Sequence, residues 1–136
     1  MKTELKKSYK GFVFLMLGFF AALILIFSLP ISDEKLAVRI VLNASSWYVI
    51  LMTYVIYKTE YVYWYSGTTY KEAVNAGSER RKAFAQKHFY RFLKPGLVFL
   101  AMSILFQILN ISAFIDALVF IIGMIVVAFS TMKFKL

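Results

Sequence analysis

Long uncharged apolar runs, separated by short charged segments, set the hydrophobic pattern of this chain. Residues 11–29 hold no charged side chain. At about 1.5 Å rise per residue such a helix reaches roughly 28 Å, close to a bilayer hydrocarbon core of about 30 Å. Pro30, Ser32, Asp33 and Glu34 then form a polar turn, with both acids where the dipole of the next helix favours them. A second run, 36–57, is charged only at Arg39. Residues 95–132 carry one charge, Asp116. As one straight helix they would extend about 57 Å, nearly twice the core thickness, so the pattern predicts a hairpin. Its tip falls near Asn110, Ile111 and Ser112, where Gln107, Asn110, Ser112 and Asp116 gather the polarity of the region. No Gly or Pro marks that turn. The expected architecture is an all-α integral membrane protein in one domain. It has four transmembrane helices at about 11–29, 36–57, 95–110 and 113–132, with an amphipathic helical segment within 58–94 outside the bilayer.

Composition supports this reading. Hydrophobic residues make up 61% of the 136 positions and charged ones 17%, and fourteen phenylalanines and nine tyrosines exceed what a soluble core of this size encloses. Cysteine is absent, which excludes disulfides, thiolate nucleophiles and Cys-based metal sites. A basic start followed by an apolar run resembles a signal peptide. The run is too long for one, and Ser28-Leu29-Pro30 is a poor cleavage site, so the first helix is expected to be retained.

Charge sets the expected orientation. Lys2, Lys6, Lys7 and Lys10 precede the first span, Lys133 and Lys135 follow the fourth, and eight more basic residues lie between spans two and three. Fourteen of the sixteen Lys and Arg then share one side, leaving Lys35 and Arg39 on the other. The positive-inside rule puts both termini and segment 58–94 in the cytoplasm of a cell carrying this protein in its plasma membrane.

Segment 58–94 opens with Tyr61, Tyr63, Trp64 and Tyr65, rings suited to the headgroup level. Thr69-Tyr70-Lys71-Glu72 fits a capping box, starting a short helix that Gly77 stops. Ser78 reads as the N-cap of a second helix running to a break at Pro95-Gly96. On that helix Ala85, Phe89, Phe92 and Leu93 share one arc, and Arg80, Lys87, Arg91 and Lys94 the opposite one, with Lys82 near the apolar side. Such a helix lies on anionic headgroups, packs against the spans, or meets a membrane-protein partner. Nucleic acid is not indicated, because the cations lie too near the bilayer to meet a duplex and no recognition motif accompanies them.

Catalytic chemistry is sparse. His88 is the one histidine, without a triad partner or a second metal ligand nearby, and no cofactor motif is present. No ionisable residue falls at mid-depth of a span, which argues against a proton-coupled exporter of the four-helix multidrug type, whose first span would carry a glutamate. Asn43, Ser45 and Ser46 give span two a small polar face suited to helix packing. Gly18 with Ala22, and Ala113 with Ala117, have spacing that allows close backbone approach. Two sequon matches, at Asn43 and Asn110, fall within the bilayer and in a tight hairpin and are set aside. Arg39 and Asp116 stand at similar depth near the outer ends of spans two and four, and can meet as an ion pair if those spans are neighbours; the alternative is two independently solvated ends.

Residues 64–73 together with Gly77-Ser78-Glu79-Arg80-Arg81 resemble a loop of small bacterial membrane proteins of Gram-positive type. The resemblance is confined to these residues and implies no activity. The sequence thus points to a non-enzymatic accessory or interaction subunit, or a homo-oligomer, binding a membrane partner or anionic lipid. The alternative is a small oligomeric transporter or channel. The topology has a direct test in this cysteine-free chain: a cysteine at Ser32 labels from outside intact cells, while cysteines at Gly67 or Leu136 do not. The opposite labelling pattern overturns the orientation.

Overall fold

The computed structural model describes residues 5–136, so Lys2 of the basic N-terminal stretch lies outside the described residues. Among these, all regular structure is helical: α1 (Lys10–Phe27), α2 (Glu34–Thr59), a single 3-10 turn (Val62–Trp64), α3 (Tyr70–Ala76), α4 (Ser78–Ile108) and α5 (Ala113–Thr131). Four of these helices, α1, α2, α4 and α5, are long and apolar enough to cross a membrane.

Local chemistry explains the boundaries. Asp33 caps α2, its carboxylate accepting from the Lys35 and Leu36 amides at 3.0 and 3.3 Å. The capping box predicted for α3 is formed in both directions: Thr69 Oγ1 accepts from the Glu72 amide at 3.2 Å, and Glu72 Oε2 accepts from the Thr69 amide at 2.8 Å. Between α4 and α5 the reversal is made by Asn110 at φ 55, the non-glycine residue that enters the left-handed region most readily. That is how the hairpin turns without glycine or proline.

Two boundaries differ from the sequence reading. Ser78 is not the N-cap of α4: Gly77, at φ 82, occupies that position, and Ser78 is already helical. Glycine supplies the backbone conformation that separates α3 from α4, and no side-chain cap is formed. Nor does the helix break at Pro95, since α4 runs through it unbroken, 31 residues from Ser78 to Ile108. Proline removes one i to i−4 hydrogen bond, but neighbouring helices hold such a segment in line. Here the neighbour is α2. A Cβ added to Gly96 would stand 2.5 Å from Ile50 Cδ1 and 3.6 Å from Ser46 Oγ, so the two helices meet closely just beyond the proline.

Burial is concentrated at one end of the bundle. There Ile56, Val62, Tyr63, Ala73, Phe84 and Ala85 form a core, with Trp64, Tyr65, Tyr70 and Phe134 packed around it. This is the aromatic end. The opposite end, holding the turns from α1 to α2 and from α4 to α5, is the turn end. Along the intervening lengths large apolar side chains face outward, Phe14, Leu17 and Ile24 on α1 and Phe114, Ile122 and Phe129 on α5 among them. No residue of α1 is buried. That helix rests on α2, where Tyr48 donates its hydroxyl to the Leu15 carbonyl over Gly18 and stacks obliquely on Phe19 at 5.3 Å.

Candidate functional site

At the turn end the structure brings Arg39 and Asp116 together. Both are buried, at 3% and 0% exposure, and Arg39 Nη2 lies 3.1 Å from Asp116 Oδ1. The pair is extended on each side. Asp116 Oδ2 accepts from the Ser103 hydroxyl at 3.0 Å, Arg39 Nη1 donates to Gln107 Oε1 at 2.7 Å, and Nη2 also donates to the Ile111 carbonyl. Gln107 turns its amide nitrogen to Asp33 Oδ2 at 3.0 Å, and this hydrogen bond is the main cause that holds the Asp33 carboxyl below its usual range. Lys35 closes the end by donating to Asn110 Oδ1 at 2.9 Å. Residues of α2, α4, α5 and both turns thus share one polar network. Asp116 also sits in the first turn of α5, where the helix dipole favours an anion. Sequence reading named the two charges and placed Gln107 at the polar tip of the hairpin, but did not join Ser103 or Gln107 to the pair; their spacing at i and i+4 on α4 was the available signal.

The polar face expected on α2 is turned inward on its own helix. Asn43 donates to the Arg39 carbonyl and Ser45 to the Val41 carbonyl, each at 2.9 Å, while Ser46 is buried beneath Gly96. The Ser45 hydroxyl is thereby satisfied on its own helix, whereas Asn43 Oδ1 is left buried with no hydrogen-bond partner.

The aromatic end carries the cations. Arg80, Lys87 and Lys94 are exposed along α4, and among the described residues none of them takes part in an ion pair or a side-chain hydrogen bond. Arg91, grouped with them by sequence, is drawn inward: its Nε donates to Ser130 Oγ at 2.9 Å and its guanidinium lies 5.9 Å from the Phe134 ring centre. The buried arc of this part of α4 runs through Arg81, Phe84, Ala85 and His88. It is rotated from the predicted arc of Ala85, Phe89, Phe92 and Leu93, because Arg81 is an inward-facing residue. Arg81 Nε pairs with Glu60 Oε1 at 3.2 Å and Nη1 donates to the Ala73 carbonyl at 2.8 Å, joining the ends of α2 and α3 to α4. His88 stacks on Tyr65 at 4.1 Å, with Nδ1 2.9 Å from the Phe84 carbonyl. Burial lowers the His88 pKa, and burial pushes the Tyr65 hydroxyl above the usual phenol range. The result is a rigid aromatic bed with a basic helix face turned away from it.

A cleft of about 440 Å³ opens between α4 and α5. Phe99 and Phe120 meet across it at 5.8 Å, and Lys94 stands at one end. Compared with protein-family models, curated proteins and solved structures, the chain matches none.

The buried pair makes a specific thermodynamic demand. Removing one partner leaves the other charge uncompensated, a loss of about 3–5 kcal/mol in comparable buried pairs, whereas removing both restores balance. Stability in bicelles of Arg39→Gln, Asp116→Asn and the double variant therefore shows a coupling energy of at least about 1 kcal/mol, with the double variant less damaged than the two singles together. Additive losses would mean that the two residues do not interact.

Proposed function

We propose that this chain is a multi-pass protein of the cell membrane, its termini and residues 58–94 on the cytoplasmic side. In this reading it acts by association, as an accessory subunit or homo-oligomer engaging anionic headgroups or an acidic segment of a membrane partner. The outward apolar side chains of α1 and α5 suit lipid contact, and the aromatic end suits the headgroup level. One observation carries the reading: Arg80, Lys87 and Lys94 project from a helix whose opposite face is locked into the aromatic bed. The helix fixes where these side chains start while leaving their charged ends free to reach an anionic surface, and each contributes about 1 kcal/mol there. The transporter alternative would need the polar face of α2 to line a path, and Ser45 instead bonds its own helix while Ser46 is buried against α4.

Site-specific photo-crosslinking tests this in native membranes. A photoreactive residue at Lys87 yields adducts with acidic-headgroup lipid or with one membrane protein in fixed ratio. Replacing Arg80 and Lys94 together by glutamine lowers that yield about tenfold or more, as does raising salt. Adducts indifferent to charge and salt would overturn the proposal, as would solute flux across liposomes containing only this chain.

A further inference from the structure

The cleft between α4 and α5 has a direction. Lys94 and Phe92 stand at its end nearest the aromatic bed, and Met102 and Val119 at the other. From Phe92 to Met102 is about 15 Å of helix, half of a hydrocarbon core of about 30 Å. The cleft therefore spans one leaflet in the proposed orientation, with a cation at the headgroup level and apolar walls below it, Ser46 excepted. Two glycines shape it. Gly96 lets α4 close onto α2, drawing it from α5, while a Cβ added to Gly123 on the α5 wall would meet nothing within 4 Å.

We infer that this cleft seats one acyl chain of an anionic phospholipid, with the phosphate at Lys94 and the chain running toward Met102. The inference rests on the proposed membrane orientation and sharpens it from a charged surface to a defined lipid seat. Its volume of about 440 Å³ falls in the range of small-molecule sites. Length and charge together favour this occupant. A transmembrane partner helix, or a second copy of this chain, would require a groove running through the whole core of about 30 Å rather than half of it. A phosphate also supplies an anion at the depth where Lys94 stands.

Because a Cβ at Gly123 meets nothing within 4 Å, a larger side chain can start from this wall and take up space in the cleft. The test is native mass spectrometry of the full chain released from nanodiscs of phosphatidylcholine doped with phosphatidylglycerol. The wild type retains one phosphatidylglycerol after surrounding lipids are stripped. Gly123→Leu loses it while thermal stability is kept, and Val119→Phe repeats the test should Gly123→Leu fail to fold. Lys94→Gln keeps one lipid but its preference for phosphatidylglycerol falls about fivefold. Equal retention by wild type and filled variants overturns the seat, as does a dimer replacing the lipid adduct. If the filled variants retain lipid yet neutralising Arg80, Lys87 and Lys94 still reduces phosphatidylglycerol enrichment, the seat fails and the surface reading stands. No enrichment in the wild type contradicts both the seat and engagement of anionic headgroups.

Discussion

A buried guanidinium must find an anion, and in this protein that requirement organises the turn end. Arg39 projects from α2 into a space with almost no solvent contact, and Asp116 of α5 is the carboxylate that meets it. An unpaired charge so placed costs several kcal/mol, so the register in which α2, α4 and α5 pack is constrained by that contact. Ser103 and Gln107 make the arrangement three-sided by committing α4 to the same two residues. A hydrophobic contact tolerates sliding, whereas this network requires donors and acceptors to coincide.

A second ion pair performs the comparable task at the aromatic end under different conditions. Arg81 joins Glu60, the left-handed residue that ends α2, to the last turn of α3 through the Ala73 carbonyl. Around it the rings of Tyr63, Trp64, Tyr65 and Tyr70 make edge and tilted contacts, and Tyr63 and Trp64 also bond the backbone of residues 6–8. The bed draws the N-terminal stretch, the connecting segment and the C-terminus into one layer. Its effect on α4 is to fix which face looks out. The cations Arg80, Lys87 and Lys94 are outward because Arg81, Phe84 and His88 are held inward.

Much of this was legible because the long apolar runs and the caps are local signals. The polar turn at Asp33, the capping box at Thr69 and the hairpin near Asn110 follow from residue types over a few positions. Pro95 misled because its local effect is to end a helix, and only the close contact of Gly96 with α2 shows why α4 continues. Arg81 misled for a similar reason. Within a run of basic residues it looks like its neighbours, and its partner Glu60 is 21 positions away, so periodicity alone turned the helix face by part of a turn. The cleft had no sequence signal at all, since it arises where Gly123 meets nothing.

Contact between Arg39 and Asp116 is what ties α2 to α5. Solid-state NMR on the full chain in lipid, with arginine labelled in the guanidinium nitrogens and aspartate in the side-chain carboxyl carbon, measures it directly by rotational-echo dephasing. Asp116→Asn and Arg39→Gln samples assign the signal. Strong short-range dephasing of one guanidinium nitrogen by one carboxylate is expected, consistent with a nitrogen to oxygen separation of 3.1 Å and lost in either variant. Absence of that dephasing in the wild type, or its persistence in Asp116→Asn, would contradict the packing of α2 against α5 on which the rest depends.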